Sequence, residues 1–210
     1  MSLFERFEAM AAARVDRLAL QIRGPAGYRR LSYADVARPA RLPASPLVRT
    51  GVTPGERVAL MSENRPEWAV AYFAVTAAGG TVVPLDPQLG DAEAANVLRH
   101  AGCRMAVASG KQTPRLLAVR PNGAPLARVV DLDAETHRER TLAFQAVLKN
   151  PDPVPAPLPR VERDALASIL YTSGTTGEPK GVMLSHANFL ANVESVMKFR
   201  LVDPEDNLLS

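Results

Sequence analysis

Hydrophobic positions along the chain switch between two periods. Phe4, Phe7, Met10 and Val15 recur at roughly helical spacing and predict a first amphipathic helix. Leu18 to Arg23 and Tyr28 to Tyr33 flank Gly24-Pro-Ala-Gly27 and predict a β-hairpin. Short apolar runs then alternate with helical stretches. Arg57 to Met61, Thr81 to Leu85, Arg104 to Ala108 and Ala127 to Leu132 read as strands, with helices near 66–78, 91–101, 112–119 and 135–149. Repeated βαβ units imply an α/β fold in which helices cover both faces of a parallel sheet, the crossovers are right-handed and ligands gather at the carboxyl ends of the strands.

Two stretches set the organisation around this pattern. From Trp68 to Leu85 the chain carries 18 uncharged residues, the lower limit for a membrane span, but Gly79-Gly80 and Pro84 interrupt it. It reads instead as a buried helix, a Gly-Gly turn and a buried strand. Pro151-Asp-Pro-Val-Pro-Ala-Pro-Leu-Pro159 has proline at every second position and can enter neither a ladder nor a helix. It reads as a stiff connector spanning on the order of 28 Å in polyproline geometry. Residues 1–150 are thus expected to form an α/β subdomain, 151–165 a Pro-rich linker, and 166–210 the start of a second subdomain.

The most distinctive chemistry lies in that last segment. Leu166-Ala-Ser-Ile-Leu-Tyr171 is a buried-strand pattern and Val182-Met-Leu184 a second apolar run, so the residues between them form a loop joining two strands. Gly174 and Gly177 can take positive φ and let the backbone turn its N–H groups inward. The hydroxyls of Thr172, Ser173, Thr175 and Thr176 add short donors, and Lys180 adds a mobile point charge suited to phosphate oxygens. Composition of this kind also occurs in hairpin turns that bind nothing, and the following Pro-Lys-Gly argues for the polyphosphate grip. The loop is not a Walker motif: five positions after Gly174 stands Pro179, and Lys180 leads into Gly-Val-Met-Leu rather than a helix. Downstream, Ser185 reads as the N-cap of a helix from about His186 to Phe199, with Phe189, Val193 and Val196 on its buried side. His186 is then a positioned polar residue. Ser185 lacks the context of a nucleophile, and His100 and His137 lie far off in predicted helical surroundings, which disfavours a histidine metal site.

Tyr171-Thr-Ser-Gly-Thr-Thr-Gly-Glu-Pro-Lys-Gly-Val-Met-Leu-Ser-His-Ala-Asn188 resembles the phosphate-loop signature of the adenylate-forming superfamily of acyl-CoA synthetases, peptide-synthetase adenylation domains and luciferases. Leu31-Ser-Tyr33, Gly51-Val-Thr-Pro-Gly-Glu-Arg-Val-Ala59, Asn64-Arg-Pro-Glu-Trp68 and Ala78-Gly-Gly-Thr-Val-Val-Pro-Leu-Asp-Pro87 are similar to the family's N-terminal half, in the same order. The continuation to Asn192 looks most like long-chain fatty acid CoA ligases. The resemblance implies the N-terminal portion of the family's large domain. It implies ATP and magnesium as cofactors, coenzyme A as co-substrate and a small-molecule carboxylic acid as partner. Thr172, Ser173, Gly174, Thr175, Thr176, Gly177 and Lys180 would bind ATP, and Thr172 would reach the magnesium shell through the phosphates. Carrier-protein loading by an adenylation domain and a non-catalytic remnant remain alternatives.

Two departures from the family stand out. Pro39, Pro43 and Pro46 interrupt what relatives carry as an amphipathic helix, and at about 3 kcal/mol for each interior proline a break near Arg38 is expected. The chain also ends at Ser210, where the next core strand of a relative would begin, so alone it is expected to be inactive and to carry no certain catalytic residue.

Composition narrows the remaining classes. A formal charge of +3, scattered among 25 basic and 22 acidic residues, is too small for nucleic-acid binding. The one cysteine, Cys103, can form no internal disulfide and stands beside an apolar run, as a small core residue would. Glu5, Glu8 and Asp16 argue against a transit peptide, so a cytoplasmic location is the default, leaving room for peripheral membrane contact. Oligomeric state is not fixed by these residues.

Overall fold

A computed structural model describes residues 1–25, 27–119, 126–150, 157–172 and 179–199, with Asp203 and Asp206. Helix α1 (Leu3–Ala13) begins at a capping box in which Ser2 and Glu5 satisfy each other's backbone amides. It buries Phe4, Phe7 and Ala11, while Val15, expected on the same stripe, lies past the helix end and is exposed. The hairpin of β1 (Leu18–Gly24) and β2 (Gly27–Ser32) follows as a separate two-stranded sheet. After α2 (Tyr33–Arg49) come β3 (Arg57–Met61), α3 (Pro66–Ala77), β4 (Thr81–Leu85), α4 (Asp91–Ala101), β5 (Met105–Ala108), α5 (Thr113–Val119) and β6 (Arg128–Asp131). The described chain closes with β7 (Thr141–Ala143), α6 (Phe144–Lys149), β8 (Leu166–Thr172), β9 (Lys180–Ser185) and α7 (His186–Lys198).

Among the described residues, seven strands form one sheet in the order β7-β6-β5-β3-β4-β8-β9, parallel except for the antiparallel β8–β9 pair. The alternating elements therefore form the α/β sheet expected of them. One face packs against α1, α2 and α3 through residues such as Phe7, Val36, Leu60 and Val75; the other packs against α4 and α5 through Met61, Leu98, Leu116 and Val129. The uncharged stretch from Trp68 resolves into α3, a turn and β4. Gly79 takes φ +81°, and a Cβ on Gly80 would lie 2.9 Å from Val75 Cγ1, so each glycine of the turn has its own steric reason. No helix among the described residues is long and apolar enough to cross a membrane.

Three expectations need correction. Helix α2 does not break at its prolines: it runs for 17 residues through Pro39, Pro43 and Pro46. A capping box of Ser32 and Asp35 starts it, and Val36, Ala40, Ala44 and Leu47 bury almost completely on one stripe. That burial offsets the lost backbone bonds, and the two fully buried alanines let α2 approach closely. The expected helix over 135–149 is instead a turn, strand β7 and the short α6. Thr141 and Ala143 pair with Val129 and Asp131, and His137 Nδ1 accepts the Ala143 amide at 3.1 Å, so edge pairing on β6 overrides local helical pattern. His137 thus sits outside a helix. Third, α7 buries His186 and Leu190 but leaves Val193 46% exposed, because its expected inner face lies beyond the edge of the described core.

Of the Pro-rich connector, residues 151–156 lie outside the described residues. Its end is anchored: Leu158 packs against the α1–α3 core, and Pro159 lies against the Gly79 turn, 3.1 Å from where a Cβ there would stand.

His186 ties the two ends of the described chain together. Its ring is 1% exposed, and Nδ1 accepts the Leu3 amide at 3.1 Å, which requires a neutral ring with its proton on Nε2. Nε2 has no partner among the described residues. Burial lowers the pKa below the ordinary 6.5; the Glu5 carboxylate opposes this and the terminal amino group adds to it. The unfolded state therefore binds more protons than the folded one below that value. Stability should be full above about pH 6.5 and fall as pH drops beneath it, by at most about 1.4 kcal/mol per pH unit from this group. Urea unfolding at pH 7.5 and 5.5 should show this loss in the parent and a smaller one in His186→Gln, which keeps an acceptor for Leu3 but does not titrate. An equal pH dependence in both proteins would remove His186 as its source.

Candidate functional site: the β8–β9 hairpin

The hairpin reaches the carboxyl end of the parallel sheet because β8 runs parallel to β4. The junction is short, with Val82 opposite Ser168. Two buried hydroxyls reinforce it: Thr81 Oγ1 donates to the Leu166 carbonyl at 3.0 Å and Ser168 Oγ to the Val82 carbonyl at 2.9 Å. At its base the His186 and Ala187 amides donate to the carbonyls of Ala165 and Arg163. A capping box of Ser185 and Asn188 then starts α7, as the sequence predicts.

Thr172 and Lys180 form the last cross-strand pair before the loop. Paired residues share a face, so both project from the side of the hairpin opposite Tyr171 and Gly181. Both are exposed, and Lys180 makes no ion pair among the described residues. Ser173, Gly174, Thr175, Thr176 and Gly177 lie outside the described residues. The structure therefore brings together the two ends of the predicted grip, a hydroxyl and a cation at the mouth of one turn. These groups suit a bound polyphosphate with its magnesium, hydroxyl to oxygen and ammonium to charge.

The opposite face carries residues to which the sequence reading assigns no role. A Cβ on Gly181 would stand 2.7 Å from Ile169 Cγ2 and 3.2 Å from Tyr171 Cζ, so Ile169 excludes a side chain there and the Tyr171 ring lies close across β9. The available signal was a glycine inside a strand, which is costly unless something approaches closely. Tyr171 in turn meets His100 of α4, with Nδ1 and the hydroxyl oxygen 2.7 Å apart. Cys103, nearby, is fully buried, and burial pushes its thiol up to about 12, as expected of an inert core residue.

Around the hairpin, the loops at the carboxyl ends of the other strands are tied to one another. Arg115 donates to Asp91 and to the carbonyls of Pro87 and Leu89. Arg65 pairs with Glu67 at 2.9 Å and with Asp133 at 2.7 Å, and Asp133 also accepts the Gly110 amide. Burial pushes the Glu67 carboxyl up, but hydrogen bonds from Arg65, its own backbone and Arg29, with the Arg65 charge, hold it below the ordinary glutamate value. This rim is built to stay in place.

Comparison with known proteins agrees with the motif and the fold. The model of the AMP-binding enzyme family matches residues 7–210. The chain is similar to 4-hydroxybutyrate--CoA ligase 2 of Metallosphaera sedula, 31% identical over 169 residues, covering 78% of this chain and 31% of that protein. It is also similar to long chain acyl-CoA synthetase 3 of Arabidopsis thaliana, 30% identical over 170 residues, covering 75% and 26% respectively. A long-chain-fatty-acid-CoA ligase of Archaeoglobus fulgidus superposes with a TM-score of 0.83 at 21% identity, over 98% of this chain and 40% of that one, and shows the shared fold. The match thus spans about a third or less of these two curated relatives. With a mostly parallel sheet of the expected kind and a signature hairpin at its carboxyl edge, the chain belongs to the AMP-binding enzyme family.

Proposed function

We propose that the protein takes part in the ATP-dependent activation of a carboxylic acid, a fatty acid, to an acyl-adenylate and then to its coenzyme A thioester. A carboxylate oxygen attacks the α-phosphorus of ATP and the bond to pyrophosphate breaks; the thiol of coenzyme A then attacks the acyl carbon and displaces AMP. The observation that carries this reading is the placement of Thr172 and Lys180 as the closing pair of a hairpin at the sheet's carboxyl end. Lys180 would neutralise charge on the β- and γ-phosphates as pyrophosphate leaves, an electrostatic stabilisation of the leaving group. Thr172, Ser173, Thr175 and Thr176 would donate hydroxyls, and Gly174 and Gly177 would permit the turn. Thr172 would reach the magnesium shell through the phosphates, and the metal would supply further charge neutralisation there. A long-chain acid is the reading favoured by the similarity to long chain acyl-CoA synthetase 3 of Arabidopsis thaliana. Residues 166–210 would begin a second subdomain, and a cytoplasmic setting fits these substrates.

The direct test supplies the full natural protein with magnesium-ATP, a panel of acids from 4-hydroxybutyrate to long-chain fatty acids, and coenzyme A. Pyrophosphate release should depend on a long-chain acid and thioester should form; acid-dependent pyrophosphate release with acyl transfer to a carrier protein instead would replace this reading.

Lys180→Ala should slow adenylation by roughly 10²- to 10³-fold, comparable to removing one preorganised donor from a transition state. It should slow thioester formation from supplied acyl-adenylate far less, since pyrophosphate is absent from that step. Gly174→Val should be at least as damaging, through blocked backbone geometry. Adenylation within a factor of about two of the parent in Lys180→Ala would return the turn to a plain hairpin.

A further inference from the structure

The geometry points to His100 and Tyr171 as a brace that sets the position of Thr172 and Lys180, the closing pair of the hairpin, making His100 a positioning residue for polyphosphate binding; the binding role rests on the reading above.

Tyr171 immediately precedes Thr172, and its ring leaves the hairpin on the face opposite Thr172 and Lys180. On one side that ring lies across Gly181, the neighbour of Lys180, 3.2 Å from where a Cβ would stand. On the other side it meets the His100 ring edge-on, with centroids 5.7 Å apart and planes at 90°. The hydrogen bond of 2.7 Å completes the contact. One aromatic side chain thus ties both strands of the hairpin, one residue before Thr172 and one after Lys180, to a helix 71 residues away in sequence.

The helix is a firm anchor. Ala95, Leu98 and Ala101 of α4 are buried against the sheet, and Gly102 closes the helix in the left-handed conformation at φ +67°. The hairpin end has little else to hold it among the described residues: Leu170, Val182 and Met183 are all exposed, Met183 at 63%. The bond is also robust to the state of the imidazole. A hydroxyl both donates and accepts, so it donates to a neutral Nδ1 and accepts from a protonated one. Burial, with the Cys103 thiol adding and Arg57 opposing, pushes the Tyr171 hydroxyl above its ordinary value, so it keeps its proton at neutral pH.

The test measures two quantities on the same proteins: amide hydrogen exchange at Lys180 and Gly181 by NMR, and magnesium-ATP affinity by calorimetry. Tyr171→Phe and His100→Ala should each speed exchange at these amides by about 3- to 10-fold and weaken magnesium-ATP by a similar factor, the scale of one lost hydrogen bond. The double variant should be no worse than either single one, since both remove one interaction. His100→Gln, which restores a hydrogen-bonding group, should recover most of both, and exchange in β3 should stay at the parent rate. Unchanged exchange at Lys180 and Gly181, strictly additive effects, or acceleration equal to that in β3 would each overturn the brace. If the parent binds no magnesium-ATP, the phosphate reading fails, while the exchange data still decide whether the brace exists.

Discussion

The position of the signature hairpin depends on a narrow seam. Strand β8 meets β4 at the Val82–Ser168 pair, and the buried hydroxyls of Thr81 and Ser168 extend that contact by bonding to main-chain carbonyls across it. Both side chains are essentially inaccessible, at 1% and 0% exposure, so each hydroxyl had to find a partner when it left water. Hydrogen bonds made out of solvent are directional, and a pair of them fixes register as well as proximity. The seam therefore determines where along the sheet's carboxyl edge Thr172 and Lys180 emerge.

Two further ties act at the other corners of the same hairpin. His186 at its base accepts an amide from α1, and Tyr171 near its tip meets α4, so contacts come from both faces of the sheet. The division suits a grip for a charged ligand. Thr172 and Lys180 stay exposed on one face, with no ion pair at Lys180 among the described residues, while the opposite face carries the packing contacts. A cation used for binding gains most when its own surroundings do not already neutralise it. The tied rim formed by Arg65, Asp133 and Arg115 shows the other use of charge at the same end of the sheet, where acids and bases saturate one another and hold loops still.

Helix α2 shows how far tertiary burial can overrule local preference. Its three prolines remove backbone donors, yet a stripe of Val36, Ala40, Ala44 and Leu47 packs so closely that the helix continues. The cost of each proline is local and fixed, whereas the gain from burial depends on what faces the helix.

Much of the fold was legible in the amino-acid sequence, because strands β3 to β6 and helices α3 to α5 are written in periodicities that local geometry alone imposes. The strands of the hairpin were legible too: two apolar runs flanking Gly-, Thr- and Lys-rich residues mark them without reference to anything distant. The cap at Ser185 was local in the same sense. What tertiary structure decided was every feature whose cause lies far away in the chain. Residues 141–143 became a strand because β6 offered an open edge, α2 stayed whole because α3 covered it, and Val193 remained exposed because no described element reaches it. Gly181 is glycine because Ile169 and Tyr171 crowd it from the neighbouring strand, and that tyrosine is held by a histidine from helix α4. Periodicity reports which side of an element is apolar, but not what will stand opposite it, and contacts between elements remote in sequence exist only once the chain has folded.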